Sequence, residues 1–156
     1  MDPEFTLPNG GPGPDPLTLS ALDADLVVLL FHRDYLCGNC RNQADTVAER
    51  FDAFETRNAM VVSVLPESHE RAHQWAADRQ SPHPVVADAD GELAMRFDQP
   101  TSFGPLGRRV DLLGRHPMAV LVDLRGPPET LWRHAGDTLD DRPSVDDLLA
   151  ELDKFA

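Results

Sequence analysis

The chain has 156 residues, 41% of them hydrophobic, and carries 27 Asp plus Glu against 14 Lys plus Arg, a formal charge of −13. That length suits one domain with a sizeable core, and so acidic a surface argues against nucleic acid or an anionic membrane as a partner. No apolar run approaches the ~20 residues of a membrane helix and no secretory pattern opens the chain, so a cytoplasmic protein is expected. Residues 1–5 (MDPEF) read as a vector-derived extension outside the fold. Residues 6–20 contain PNGGPGPDP and read as a flexible Gly/Pro-rich lead-in to a domain over 21–156. Within that boundary region, residues 17–22 could make a short edge strand or a turn. Leu26 to Phe31 (LVVLLF) shows no polar alternation, which predicts a central strand buried on both faces.

The two cysteines of the chain follow that strand as Cys37-Gly38-Asn39-Cys40. Ala44, Val47, Ala48, Phe51 and Phe54 then recur at helical spacing, predicting one helix from Cys37 to about Arg57. Ala59 to Leu65 is a second buried strand, and Ser68 caps a helix running to about Gln80. A short strand at Pro84–Ala87, a turn at Asp88–Gly91 and a brief helix to Phe97 come next. Asp98 to Pro117, with its Arg108-Arg109 pair, is the least regular part. Met118 to Leu124 and Glu129 to His134 form a hairpin, and Pro143 opens a last helix whose apolar stripe is Val145, Leu148, Leu149, Leu152 and Phe155. This order predicts an α/β fold, with one sheet of four or five strands flanked by helices on both faces.

A CxxC at the head of a helix, after a strand, reads as a redox pair. Free N–H groups and the positive end of the helix dipole stabilise a thiolate on the first cysteine, and the second lies about one turn away, within reach of a disulfide. Cys37 is thus the expected nucleophile and Cys40 the resolving cysteine, with Arg33 and Arg41 as candidate thiolate-stabilising cations. Asp34 would oppose them if its carboxylate pointed inward. A zinc site would need two further ligands from histidines 32, 69, 73, 83, 116 and 134, an uncommon arrangement. Neither a metal nor a cofactor is expected, and His69 and His73 read as solvated surface residues.

The strand, CxxC helix, βα pair, pre-strand proline and final hairpin and helix together resemble the thioredoxin fold. Phe31-x-Arg33-x-x-x-Cys37-x-x-Cys40-Arg41 and Val85–Ala94 (VVADADGELA) resemble the peroxiredoxin-like branch of the alkyl hydroperoxide reductase and thiol-specific antioxidant superfamily. The resemblance spans roughly Leu19 to Phe155. It implies a central mixed sheet and a thiol-dependent oxidoreductase, an antioxidant acting on peroxides or protein disulfides and regenerated by a thioredoxin-like protein or a small thiol. The pattern departs from peroxiredoxins at three slots: Leu30 stands for their proline, Asp34 for their threonine and Pro117 for their arginine. It departs from thioredoxins where Phe31 and Leu36 replace a buried aspartate and a tryptophan. The thioredoxin resemblance implies that Pro117 is cis and sets the His116 backbone beside the sulfurs, open to an extended substrate; the imidazole of His116 could also tune the thiolate.

These departures leave an alternative from another class, a non-catalytic redox-sensing or binding module on the same fold. The charge has its own resemblance. Nineteen Asp, eight Glu, thirteen Arg and one lysine, Lys154, are similar to the surfaces of proteins from the salt-in cytoplasm of halophilic archaea. An ordinary acidic protein from a high-GC genome would share the preference for Arg over Lys.

Overall fold

The computed structural model describes residues 2–101 and 115–156. A two-stranded ribbon, β1 (Thr6–Leu7) with β2 (Leu17–Thr18), precedes a five-stranded mixed sheet. The sheet is built from β3 (Leu26–Phe31), β4 (Ala59–Leu65), β5 (Val85–Ala87), β6 (Met118–Asp123) and β7 (Glu129–Ala135), in the order β5-β4-β3-β6-β7. β3, β4 and β5 are parallel, while β6 runs antiparallel to β3 and β7 to β6. All six residues of the central β3 are buried, because both faces of the sheet are covered.

The pleat sorts side chains into two cores. Leu26, Val28 and Leu30 face one side with Val61, Ala119 and Leu121, where α1 (Gly38–Glu49), α2 (Phe51–Glu55) and α5 (Val145–Lys154) pack through Val47, Phe54 and Leu148. Farther along the same face, α3 (His69–Arg79) covers Leu65 and Val85 with Ala72 and Trp75. Val27, Leu29 and Phe31 point the other way, into a core closed by α4 (Glu92–Arg96) and by Phe5, Leu17 and Leu19 from the start of the chain.

Several sequence expectations are corrected here. The start of the chain is not a flexible lead-in: Phe5, Asn9, Leu17 and Leu19 are buried. The Asn9 amide donates to the carbonyls of Pro12 and Pro14 and its oxygen accepts from the N–H groups of Gly11 and Val85, so one side chain folds the Gly/Pro loop and ties it to β5. Gly10 runs so close to α3 that a β-carbon there would collide with the backbone of Ala72 and His73. His69 and His73 are exposed, as expected, and also hold this loop through the carbonyls of Asn9 and Gly10 and the carboxylate of Asp15.

The predicted helix over 37–57 divides at Arg50, whose backbone leaves helical geometry, giving α1 and α2. The last helix is opened by Ser144 rather than Pro143. The Ser144 hydroxyl accepts from the Asp147 N–H, and the Asp147 carboxylate accepts from the Ser144 N–H. The Arg108-Arg109 pair and the loop glycines at 104, 107 and 114 lie outside the described residues. Among the described residues, no helix is long and apolar enough to cross a membrane.

Candidate active site

β3 delivers the chain to the end of the sheet where the parallel strands finish and α1 starts back over it, so residues 32–37 form the connecting loop. Three interactions fix that loop. Asp34 turns its carboxylate to the Leu36 N–H at 2.8 Å, an Asx turn that aims it at the loop backbone. The Arg41 guanidinium donates twice to the Tyr35 carbonyl, at 3.2 and 2.9 Å. The Tyr35 ring also has the guanidinium of Arg71 over its face at 4.3 Å.

Cys37 is the N-cap of α1, and its sulfur accepts from the Cys40 N–H at 3.2 Å. Cys37 and Cys40 are joined as a disulfide, with Cα atoms 5.3 Å apart. Both are buried, Cys37 at 5% exposure and Cys40 fully, so Cys37 is the sulfur nearer to solvent. Cys40 Sγ accepts from the Arg33 N–H at 3.4 Å, while Arg33 Nη1 stands 3.9 Å from Cys37 Sγ. Arg33 Nε is braced by the Arg115 carbonyl at 3.1 Å. A helix terminus and a guanidinium therefore converge on the Cys37 sulfur, two features that favour a thiolate there once the bond is reduced.

The other sequence candidates have different places. Arg41 stays on Tyr35 and holds the loop. His116 is buried: its Nδ1–H donates to the Gly136 carbonyl at 2.7 Å, its N–H to the Pro100 carbonyl, and its own carbonyl accepts from the Gln99 amide. Both backbone groups expected to face a substrate are thus committed within the protein. The His116–Pro117 peptide is trans, contrary to expectation; among the described residues the cis peptide is Asp15–Pro16. The Pro117 carbonyl accepts from Gly136, which docks the end of β7 beside the loop.

Sequence reasoning missed three residues near the dithiol. Gln99 donates to the carbonyls of both His32 and His116 and so clamps the exit of β3 to the entrance of β6. His32 is sealed beneath the site, bonded to the Ser63 hydroxyl at 2.9 Å, and burial pushes its imidazole down to about 3. Arg142 borders a cleft of about 570 Å³ with Asn39, Gln43 and Asp140. Asn39, the residue before Cys40, is hydrogen-bonded to Asp140. Burial holds the Arg142 guanidinium below its ordinary pKa; Asp140 pulls the other way, and the charge of Arg33 adds to the depression. No spacing along the chain marks these residues: Gln99 and Arg142 come from distant loops, and the role of His32 depends on what buries it. Among the described residues no cluster of three or more His, Cys, Asp or Glu could hold a metal ion.

A five-stranded mixed sheet with a cysteine pair capping the helix after its central strand defines a thioredoxin-like redox fold. The AhpC/TSA family pattern matches residues 2–124, and the chain belongs to that family: it is a peroxiredoxin-like, thiol-dependent oxidoreductase. Solved structures agree on the fold. Peroxidoxin BcpB from Mycobacterium tuberculosis is 23% identical with a TM-score of 0.79, over 98% of this chain and 94% of that one. The bacterioferritin comigratory protein of Xanthomonas campestris is 19% identical (TM-score 0.74, 97% and 91% covered), and AhpC of Enterococcus faecalis is 16% identical (TM-score 0.78, 97% and 87% covered). No curated protein matches the chain.

Proposed function

We propose that this protein reduces hydroperoxides through Cys37, with Cys40 as the resolving thiol and a thioredoxin-like protein or a small thiol as reductant. The Cys37 thiolate attacks the peroxide O–O bond. One oxygen stays on sulfur as a sulfenic acid, and the other leaves as an alcohol or water after taking a proton. The Cys40 thiol then attacks the Cys37 sulfur and expels water, which closes the disulfide. Two thiols of the reductant restore the pair and are themselves oxidised to a disulfide.

The observation that carries this reading is the setting of the Cys37 sulfur, between the Cys40 N–H and the Arg33 guanidinium on a peroxiredoxin-like frame. The Xanthomonas relative of the same fold is described by its alkyl peroxide reduction activity. The competing reading, disulfide exchange, drew its motive from a cis Pro117 and an open His116 backbone. With Pro117 trans and both His116 groups bonded, it has less support.

Rapid mixing of the fully reduced protein with hydrogen peroxide tests the proposal. Cys37 is expected to be oxidised orders of magnitude faster than free cysteine, and Cys37→Ser to be inert. Oxidation no faster than that of a free thiol overturns it. Sustained turnover with a dithiol reductant, lost in Cys37→Ser, separates an enzyme from a redox-sensing module.

A further inference from the structure

Arg142 lies beyond residue 124, where the family match ends, in the loop before α5. Its Nη2 donates to the Leu139 carbonyl at 3.1 Å. Its Nε–H and Nη1–H are shut off from solvent and find no acceptor among the described residues. A buried guanidinium donor without an acceptor is costly, more so when charged, so a pair of them needs a reason. The surroundings supply one. Arg142 shares its cleft with Asn39, inside the CxxC motif, and stands within electrostatic reach of His32 and Arg33, the residues that follow β3 toward the sulfurs.

We propose that Arg142 is a second guanidinium of the dithiol site, whose Nε–H and Nη1–H receive the negative charge formed when the Cys37–Cys40 disulfide is reduced. This rests on the reading of Cys37 as the thiolate. In the reducing step a dithiol reductant supplies two electrons, and the protein S–S bond breaks as the reductant closes its own. One of its two protons goes to Cys40 and the other to solvent, leaving Cys37 as S⁻. The oxidised protein holds the two donors in waiting, and the reduced protein gives them an acceptor.

The neighbouring charges fit this division. Asp34 is turned to the loop backbone and Arg41 to Tyr35. His32 is held neutral by burial. Asp140, hydrogen-bonded to Asn39, is the carboxylate whose charge counters the depression of Arg142 in this cleft.

The test reads the thiolate without peroxide. In the reduced protein, titrated by thiolate absorbance in the ultraviolet, Arg142→Gln is expected to raise the Cys37 pKa by about one unit or more, the size of effect an adjacent opposite charge produces. Its thiol–disulfide equilibrium with dithiothreitol moves toward the disulfide by about tenfold, about 30 mV for this two-electron couple. Arg142→Lys, which keeps the charge without the planar fork, recovers part of both. A folded Arg142→Gln with unchanged pKa and unchanged equilibrium overturns the proposal.

A measurement on the wild type covers a variant that fails to fold. The Arg142 Nε–H nuclear magnetic resonance signal, assigned by its loss in Arg142→Lys, must shift when the disulfide is reduced. An identical signal in both redox states also overturns the proposal. A protein inert to peroxide that still passes these tests would sink the peroxidase reading and leave Arg142 its role.

Discussion

His32 and His83 are each about 1% exposed, and burial is the main cause that pushes their imidazoles down, to about 3 and about 4. The consequence for stability has a definite sign. Above the ordinary value of 6.5 both are neutral whether the chain is folded or not. As pH falls below it, the unfolded chain takes up two protons that the folded chain refuses. Each histidine then removes roughly 1.4 kcal/mol of stability per pH unit until its folded value is reached. We expect unfolding free energy, measured with urea across this range, to fall at roughly 2–3 kcal/mol per pH unit between about pH 6 and 4.5, above the range where most carboxylates titrate. His83→Gln should halve that slope; an unchanged slope would show that His83 titrates freely in the folded protein. Neither histidine could be told apart from a surface histidine in the sequence, because burial of a polar ring depends on what covers it.

At the scale of elements, α4 shows how a five-residue helix is held. Asp88, in the turn after β5, is 1% exposed and accepts from the N–H groups of Leu93 and Ala94, one on each carboxylate oxygen, at 3.0 and 2.9 Å. These bonds lower the carboxyl pKa, but burial outweighs them and the net shift is upward. Asp88→Ala leaves both buried donors unmet, at a cost of about 1–3 kcal/mol each. We expect it to destabilise the protein by about 2–4 kcal/mol in denaturant melts, and a loss within experimental error would show that α4 does not depend on this carboxylate. The run VVADADGELA marked a strand, a turn and a helix in sequence, and the structure has β5 and α4 there. That one carboxylate spans two backbone donors follows only from the way the turn wraps over the start of α4.

For the whole molecule the governing quantity is charge. Twenty-seven acidic residues against 14 basic ones leave a net −13 that repels itself across a small surface. Some of it is neutralised between elements: Arg50 pairs with Asp146 and Arg57 with Asp153, linking α1 and α2 to α5. Exposed pairs of this kind contribute little each, about 0–1 kcal/mol. The rest of the repulsion should be relieved by salt, since molar salt cuts the Debye length to about 3 Å. The resemblance of this surface to those of salt-adapted proteins implies the same relief. The melting temperature should rise as KCl goes from about 0.1 M to about 2 M, and a flat profile would sink it.

The sequence by itself determined the sheet and the position of the dithiol. Uninterrupted runs such as LVVLLF and AMVVSVL can be satisfied only where both faces are covered, and a CxxC after such a run falls at a helix head whatever surrounds it. Those signals are local, carried by neighbours in the chain. Tertiary structure decided what stands around the sulfurs. Arg33 reaches Cys37 because the carbonyl of Arg115 braces it, and Gln99 joins two loops. It also turned the Gly/Pro-rich start from a loose lead-in into a packed cover, through the buried amide of Asn9. Polar side chains meet partners from loops distant in sequence, and hydrophobic periodicity carries no record of which loops the folded sheet brings together.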